Sequence, residues 1–199
     1  VVPQVLAKDS DELQFLADFL RDLGYKEINL NMGCPYPMVT NRTKGAGLLP
    51  NPDLVKRMLA DFFENNEIKL SIKLRAGLHA ADEIKQLIPV LNEFRLSEVI
   101  FHPRVAQQLY SGKVDLEAFR FANSNLKHQL VYNGDIFSFD DYNNLQQKFP
   151  EINHWMLGRG ILKNPFLPLE IKNIPISEDD KIERLKTFHR LIFEGYSET

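Results

Sequence analysis

The chain has one cysteine, Cys34, in the stretch "INLNMGCPYP" at positions 28–37. A single cysteine forms no internal disulfide, and no second Cys or His stands at a metal-ligand spacing from it. A free cysteine is ordinarily a small buried apolar residue. The neighbours point elsewhere. An apolar, strand-like run stops at Gly33, and Pro35 and Pro37 then stiffen the loop beyond it. A thiol on a rigid loop at a strand end is placed to give up a proton or to attack a substrate.

Other polar residues fall at similar stops. In "SIKLRAG", Lys73 and Arg75 alternate with Ile72 and Leu74, so the two cations share one face of a strand. They are either a strand end reaching water or inward charges placed for an anionic cofactor. His102 and Arg104 stand at i and i+2 in "FHPR". A lone His is usually structural, but the pair at another strand end favours a site. "YNGDI", with Asn133, Gly134 and Asp135, carries a hairpin signal. A helical run opening at Ser138 comes after it, which argues against a hairpin. In "LGRGILKNP", Gly158 and Gly160 let backbone N–H groups approach a phosphate, and Arg159 between them adds a charge.

The elements that position these residues alternate. Strand-like runs cover 2–7, 27–32, 69–74, 98–103, 128–134 and 154–158, and amphipathic stretches cover 11–23, 52–65, 80–94, 115–125 and 139–149. "KDSDEL" and Gly24 bracket the first helix; Asn51 and Pro52 open the second as cap and first residue. Strands alternating with helices give a parallel sheet, and near-continuous apolar strands read as buried on both faces. The loops at the strand ends hold the polar punctuation, which favours a TIM (β/α)8 barrel over a doubly wound sheet. Six βα units are countable where such a barrel has about eight, so the barrel is expected to be incomplete. Residues 1–176 are expected to form this barrel portion. Residues 177–199 read as the start of a C-terminal helical segment, with Leu185, Phe188, Leu191 and Ile192 as its apolar stripe.

The 199 residues are 44% hydrophobic and 26% charged, with a net charge of −3. That is ordinary globular composition, and any nucleic-acid surface must be local. No apolar run has the length of a membrane span and no leader is seen, so a cytoplasmic, reducing setting is expected.

The quoted motifs, with "NMGCPYPMVTNRTKGAGLL", "FHPRVAQQLYSGKVD" and "MLGRGILKNPFL", occur in the order and spacing of the tRNA-dihydrouridine synthases, which the chain resembles from about residue 2 to 169. The resemblance implies an FMN-dependent enzyme that reduces the C5–C6 double bond of uridines in tRNA, with NADPH as electron donor. It implies that Cys34 is the proton donor and that Gln4, Lys73 and His102 contact the flavin. Asn133, Gly134, Asp135, Gly158, Arg159 and Gly160 fall on its phosphate segment, and Asn31 and Arg104 near the substrate. Where the family has His-Gly-Arg-Thr, this chain has "HPRV". By motif order Gln4 belongs to the family's third strand, so the first two βα units and most of a helical tRNA-binding domain are expected to lie outside this sequence. Two other readings stay open: a flavin enzyme acting on a free pyrimidine or another conjugated C=C, and a non-catalytic fragment or RNA-binding remnant. An open barrel edge also implies possible self-association.

Overall fold

The computed structural model describes residues 1–197. Six parallel strands form one sheet in sequential order: β1 Gln4–Val5, β2 Glu27–Met32, β3 Lys69–Gly77, β4 Val99–Val105, β5 Leu130–Asn133 and β6 His154–Met156. A doubly wound sheet reverses its strand order at a switch point. Here each strand lies beside its sequence neighbours, which is the order of a (β/α) barrel. Among the described residues β1 pairs only with β2 and β6 only with β5, so the six strands are an incomplete TIM barrel.

The helices are α1 Ser10–Asp22, α2 Pro37–Thr40, α3 Pro52–Asn65, α4 Glu83–Leu91, α5 Leu116–Asn125, α6 Phe139–Lys148, α7 Arg159–Lys163, α8 Leu167–Ile171 and α9 Glu178–Ser197. Local chemistry sets their starts. The Asp9 side chain accepts the Glu12 N–H at 3.0 Å and caps α1, and Gly24 ends it at φ 91°. Ser138 accepts the Asp141 N–H at 3.1 Å, so Asn133-Gly134 leads into α6 and not into a hairpin. Asn51 differs from expectation. It precedes Pro52 but makes no side-chain cap, and its Nδ2 donates to the Gly47 carbonyl at 3.2 Å instead. The short α2, α7 and α8 carry too few residues for a periodic signal.

Packing divides the described residues into two units. The first is Val1–Gly134 with Glu151–Met156 and holds the whole sheet; the second is Asp135–Pro150 with the residues from Leu157 onward. In the first unit one sheet face is apolar and covered by helices. Leu30, Ile72, Leu74 and Phe101 are buried there, and Phe119 of α5 stacks on Phe101 at 6.0 Å and meets Tyr132 edge-on at 4.8 Å. Strands apolar on both faces were expected. The other face instead carries Gln4, Asn29, Asn31, Ser71, Lys73, Arg75, His102 and Arg104, and the register sets Asn31 level with Lys73 and Arg75 level with His102. Of these, Asn29, Ser71, Arg75, His102 and Arg104 are buried; Asn29 bonds to Ser71, and the two arginines bond loop carbonyls.

In the second unit α6 packs on α8, and α9 keeps its stripe uncovered: Phe188 is 63% exposed and Leu191 58%. Positions 198 and 199 of the expected C-terminal segment lie outside the described residues. No helix among the described residues is long and apolar enough to cross a membrane.

Candidate active site at the strand ends

Cys34 is half-buried on the loop after β2, and its backbone is held from several sides. The Asn31 Oδ1 accepts the N–H groups of Gly33 at 2.9 Å and Cys34 at 2.8 Å. The Cys34 carbonyl accepts the Ala46 N–H at 3.0 Å. Gly45 lies so close that a Cβ there would sit 2.8 Å from the Cys34 Cβ, and its φ is 56°. Only glycine meets both conditions without strain. The segment "GAGLL" therefore forms the second wall of the thiol loop.

Asn31 is itself oriented. Its Nδ2 donates to Gln4 Oε1 at 2.7 Å, and Gln4 Nε2 donates to Asn29 Oδ1 at 2.7 Å. Asn29 Nδ2 donates to Ser71 Oγ at 3.0 Å, which closes on the Ile28 carbonyl at 3.3 Å. This chain of amides runs from β1 to β3 and fixes which way Asn31 points. Gln4 and Asn31 thus meet Cys34 as parts of one network.

The cations divide by what they touch. The Arg75 guanidinium is spent on carbonyls: Nε donates to Gly33 at 3.1 Å, and Nη1 to Val105 at 3.1 Å and Leu109 at 2.7 Å. It lies under the Tyr110 ring, 5.4 Å from its centre. Arg104, 1% exposed, donates to Ser111 at 3.3 Å and Gly112 at 2.6 Å and lies 3.3 Å from His102 Nε2. It holds the loop that follows β4. Lys73 is different: no hydrogen bond or ion pair joins it among the described residues. Burial, and then the charge of Arg75, lower its pKa to about 8.

Gly134 closes against the same cluster, since a Cβ there would come within 3.5 Å of His102 Cδ2. Asn133 Nδ2 donates to the Met156 carbonyl at 2.9 Å and ties β5 to β6. In the second unit, Arg159 is exposed at the start of α7 and pairs with Asp135 at 2.9 Å, with its guanidinium 5.2 Å from the Phe137 ring centre. Gly158 precedes α7, and Gly160 is buried so tightly that a Cβ would overlap the Ile136 carbonyl. Sequence reasoning placed Arg75 on the right face but missed its carbonyl partners. It also left Tyr110 and the role of Gly45 unassigned, although "QLYSG" and "GAGLL" marked both loops.

A sequence model of dihydrouridine synthase matches residues 1–199. The chain is 32% identical over 171 residues to a "tRNA-dihydrouridine(47) synthase [NAD(P)(+)]-like" protein of Arabidopsis thaliana, covering 82% of this chain and 24% of that protein. It is 26% identical to tRNA-dihydrouridine synthase B of Pasteurella multocida, covering 82% of this chain and 49% of that one. A probable tRNA-dihydrouridine synthase of Staphylococcus aureus is 31% identical over 154 residues, 74% of this chain and 46% of that one. The chain spans between about a quarter and about half the length of these relatives.

Proposed function

This chain belongs to the dihydrouridine synthase family, and we propose on that premise that it serves an FMN-dependent enzyme that reduces the C5–C6 double bond of uridines in tRNA, with NADPH as electron donor. The observation that carries this reading is Lys73. A half-buried cation without a partner raises the energy of the free protein, and an anionic ring placed against it relieves that cost. Lys73 stands level with Asn31, which holds the thiol loop. A cofactor with a ring that takes up negative charge and a phosphate tail fits the donors present.

The residues then divide between the two ends of such a cofactor. Lys73, His102 and Gln4 hold the ring side. Asn133, Gly134, Asp135, Gly158, Arg159 and Gly160 would hold the phosphate side. When bound, the flavin supplies the hydride. Reduction of the base leaves a carbanion-like C5 that needs a proton, and Cys34 donates it as general acid. Asn31 keeps the thiol loop in place for that transfer, and Arg104 holds the neighbouring loop. The tRNA is the substrate partner, and the setting is cytoplasmic.

The test uses the full-length protein carrying this chain, loaded with FMN and given NADPH and unmodified tRNA. Dihydrouridine appears in digested tRNA by mass spectrometry, and free uracil and dihydroorotate are not turned over. Turnover of either free pyrimidine compound in place of tRNA would move the activity to a small-molecule flavin enzyme. A colourless protein that still binds tRNA would make it a non-catalytic RNA-binding module.

A further inference from the structure

We propose that Arg75 is the positioning residue of this site: it couples the loop carrying Cys34 to the loop carrying Tyr110, so that the thiol and the aromatic rim are held as one body. What the thiol does rests on the function proposed above; the coupling does not. One guanidinium serves carbonyls from two separate loops, Gly33 after β2 and Val105 and Leu109 after β4. It is 2% exposed. Gly33 immediately precedes Cys34, and Asn31 accepts the Cys34 N–H, so the peptide that joins Gly33 to the thiol residue is clamped at both its N–H and its carbonyl.

The other loop is shaped to reach the same group. Leu109 has φ 51° and ψ −98°, a backbone that an L-residue adopts only at a cost. In that conformation its carbonyl meets Arg75 at 2.7 Å, and the next residue, Tyr110, lies over the guanidinium. Arg104 fixes the far side of the same loop through Ser111 and Gly112. Tyr110 is 47% exposed, and its ring centre is 6.4 Å from that of His102. A lysine cannot replace Arg75, because one ammonium has no planar fork of donors to span carbonyls in two directions.

The test uses the full-length flavoprotein with Arg75→Lys. Three readouts are taken: iodoacetamide alkylation of Cys34 on its own peptide, amide hydrogen exchange, and uridine reduction. Alkylation is expected to speed up severalfold, and exchange to rise at 33–34, at Ala46 and at 105–112. Amides inside β2 and β3 keep their protection. FMN content and flavin reduction by NADPH stay as in wild type, and kcat on tRNA falls about 100-fold, the scale of a small misplacement of a reacting group. Leu109→Pro fixes φ at about −65°, which turns the carbonyl at 109 away from Arg75 and leaves Arg75 itself unaltered. It is expected to speed Cys34 alkylation as well, and its effect is non-additive with that of Arg75→Lys. That second variant tests the coupling if Arg75→Lys does not fold.

Unchanged alkylation and loop exchange in either folded variant overturns the proposal. A rise in exchange through the whole sheet makes Arg75 a general structural residue, and loss of FMN makes it a cofactor contact; each also overturns it. Alkylation and exchange need neither tRNA nor NADPH. A wild-type protein that makes no dihydrouridine would therefore end the proposed function and leave the coupling to stand or fall by itself.

Discussion

A thiol used as a general acid and a cation used against an anionic ring fail in different ways when altered. Cys34→Ala in the full-length enzyme is expected to keep FMN and its reduction by NADPH and to lose about 10²–10⁴-fold in dihydrouridine formation, the range of general acid catalysis. Wild-type turnover on unmodified tRNA would remove Cys34 from the mechanism. Lys73 leaves its mark on pH dependence. Its pKa in the ligand-free protein is lowered to about 8, by burial first and Arg75 second. In that state folding stability rises with pH from about 8 towards the ordinary 10.5, because the unfolded chain binds the extra proton across that window. An anionic ring raises the Lys73 pKa, so binding takes up a proton at high pH. The affinity for reduced, anionic FMN is therefore flat below about pH 8 as far as this group is concerned and falls above it, by about tenfold at pH 9. Lys73→Met is expected to bind more weakly at pH 7 and to lose this dependence. A wild-type affinity that does not change between pH 7 and 9 would remove Lys73 from the ring site.

The elements make these residues useful by bringing three loops to one place. Gly45 shows the tolerance involved. Gly45→Ala forces a side chain into φ 56° and 2.8 Å from the Cys34 Cβ, so it is expected to cost about 1–2 kcal/mol from the backbone alone and to displace the thiol as well. Gly24→Ala is the control, since Gly24 also has a positive φ but has nothing within 4 Å. Urea unfolding should show both variants destabilised, and only Gly45→Ala should change Cys34 alkylation; equal alkylation in the two would mean that the close approach does not govern the thiol. Much of this arrangement was legible in the chain. Alternation put Lys73 and Arg75 on one face, Asp9 and Ser138 announced their helices, and Gly33 with two prolines marked the thiol loop. The polar sheet face was not legible, because Gln4, Asn29 and Ser71 come from three strands, 25 and 42 residues apart, and each strand by itself reads as apolar. Nor were the partners of Arg75 and Arg104. Those depend on the path of residues 105–112, which turns at Leu109 and Gly112 with φ 51° and 65°, and leucine announces no such turn.

For the molecule as a whole, the parallel sheet determines what a polypeptide of just these 199 residues can do alone. Each edge strand, β1 and β6, has a pairing partner on one side only among the described residues. An unpaired strand edge is a template for another chain. On α1 and at its C-cap, beside the β1 edge in sequence, Phe15, Phe19 and Leu23 recur every four residues and are 70%, 54% and 61% exposed. Such a stripe is a sticky surface unless something covers it. The bacterial relative from Pasteurella multocida is about twice as long as the stretch matched here, which leaves it ample chain for further βα units. The 199-residue polypeptide is therefore expected to self-associate and to hold FMN weakly or not at all, because six strands leave the ring without a complete wall. Phe15→Glu with Phe19→Glu should reduce the association and leave the circular dichroism unchanged, since both side chains are mostly outside the core. Light scattering gives the mass of each form, and absorbance in the flavin bands gives the FMN content. A yellow, monodisperse monomer with one FMN per chain would show that the open sheet suffices for cofactor binding, and that the α1 stripe is tolerated in water.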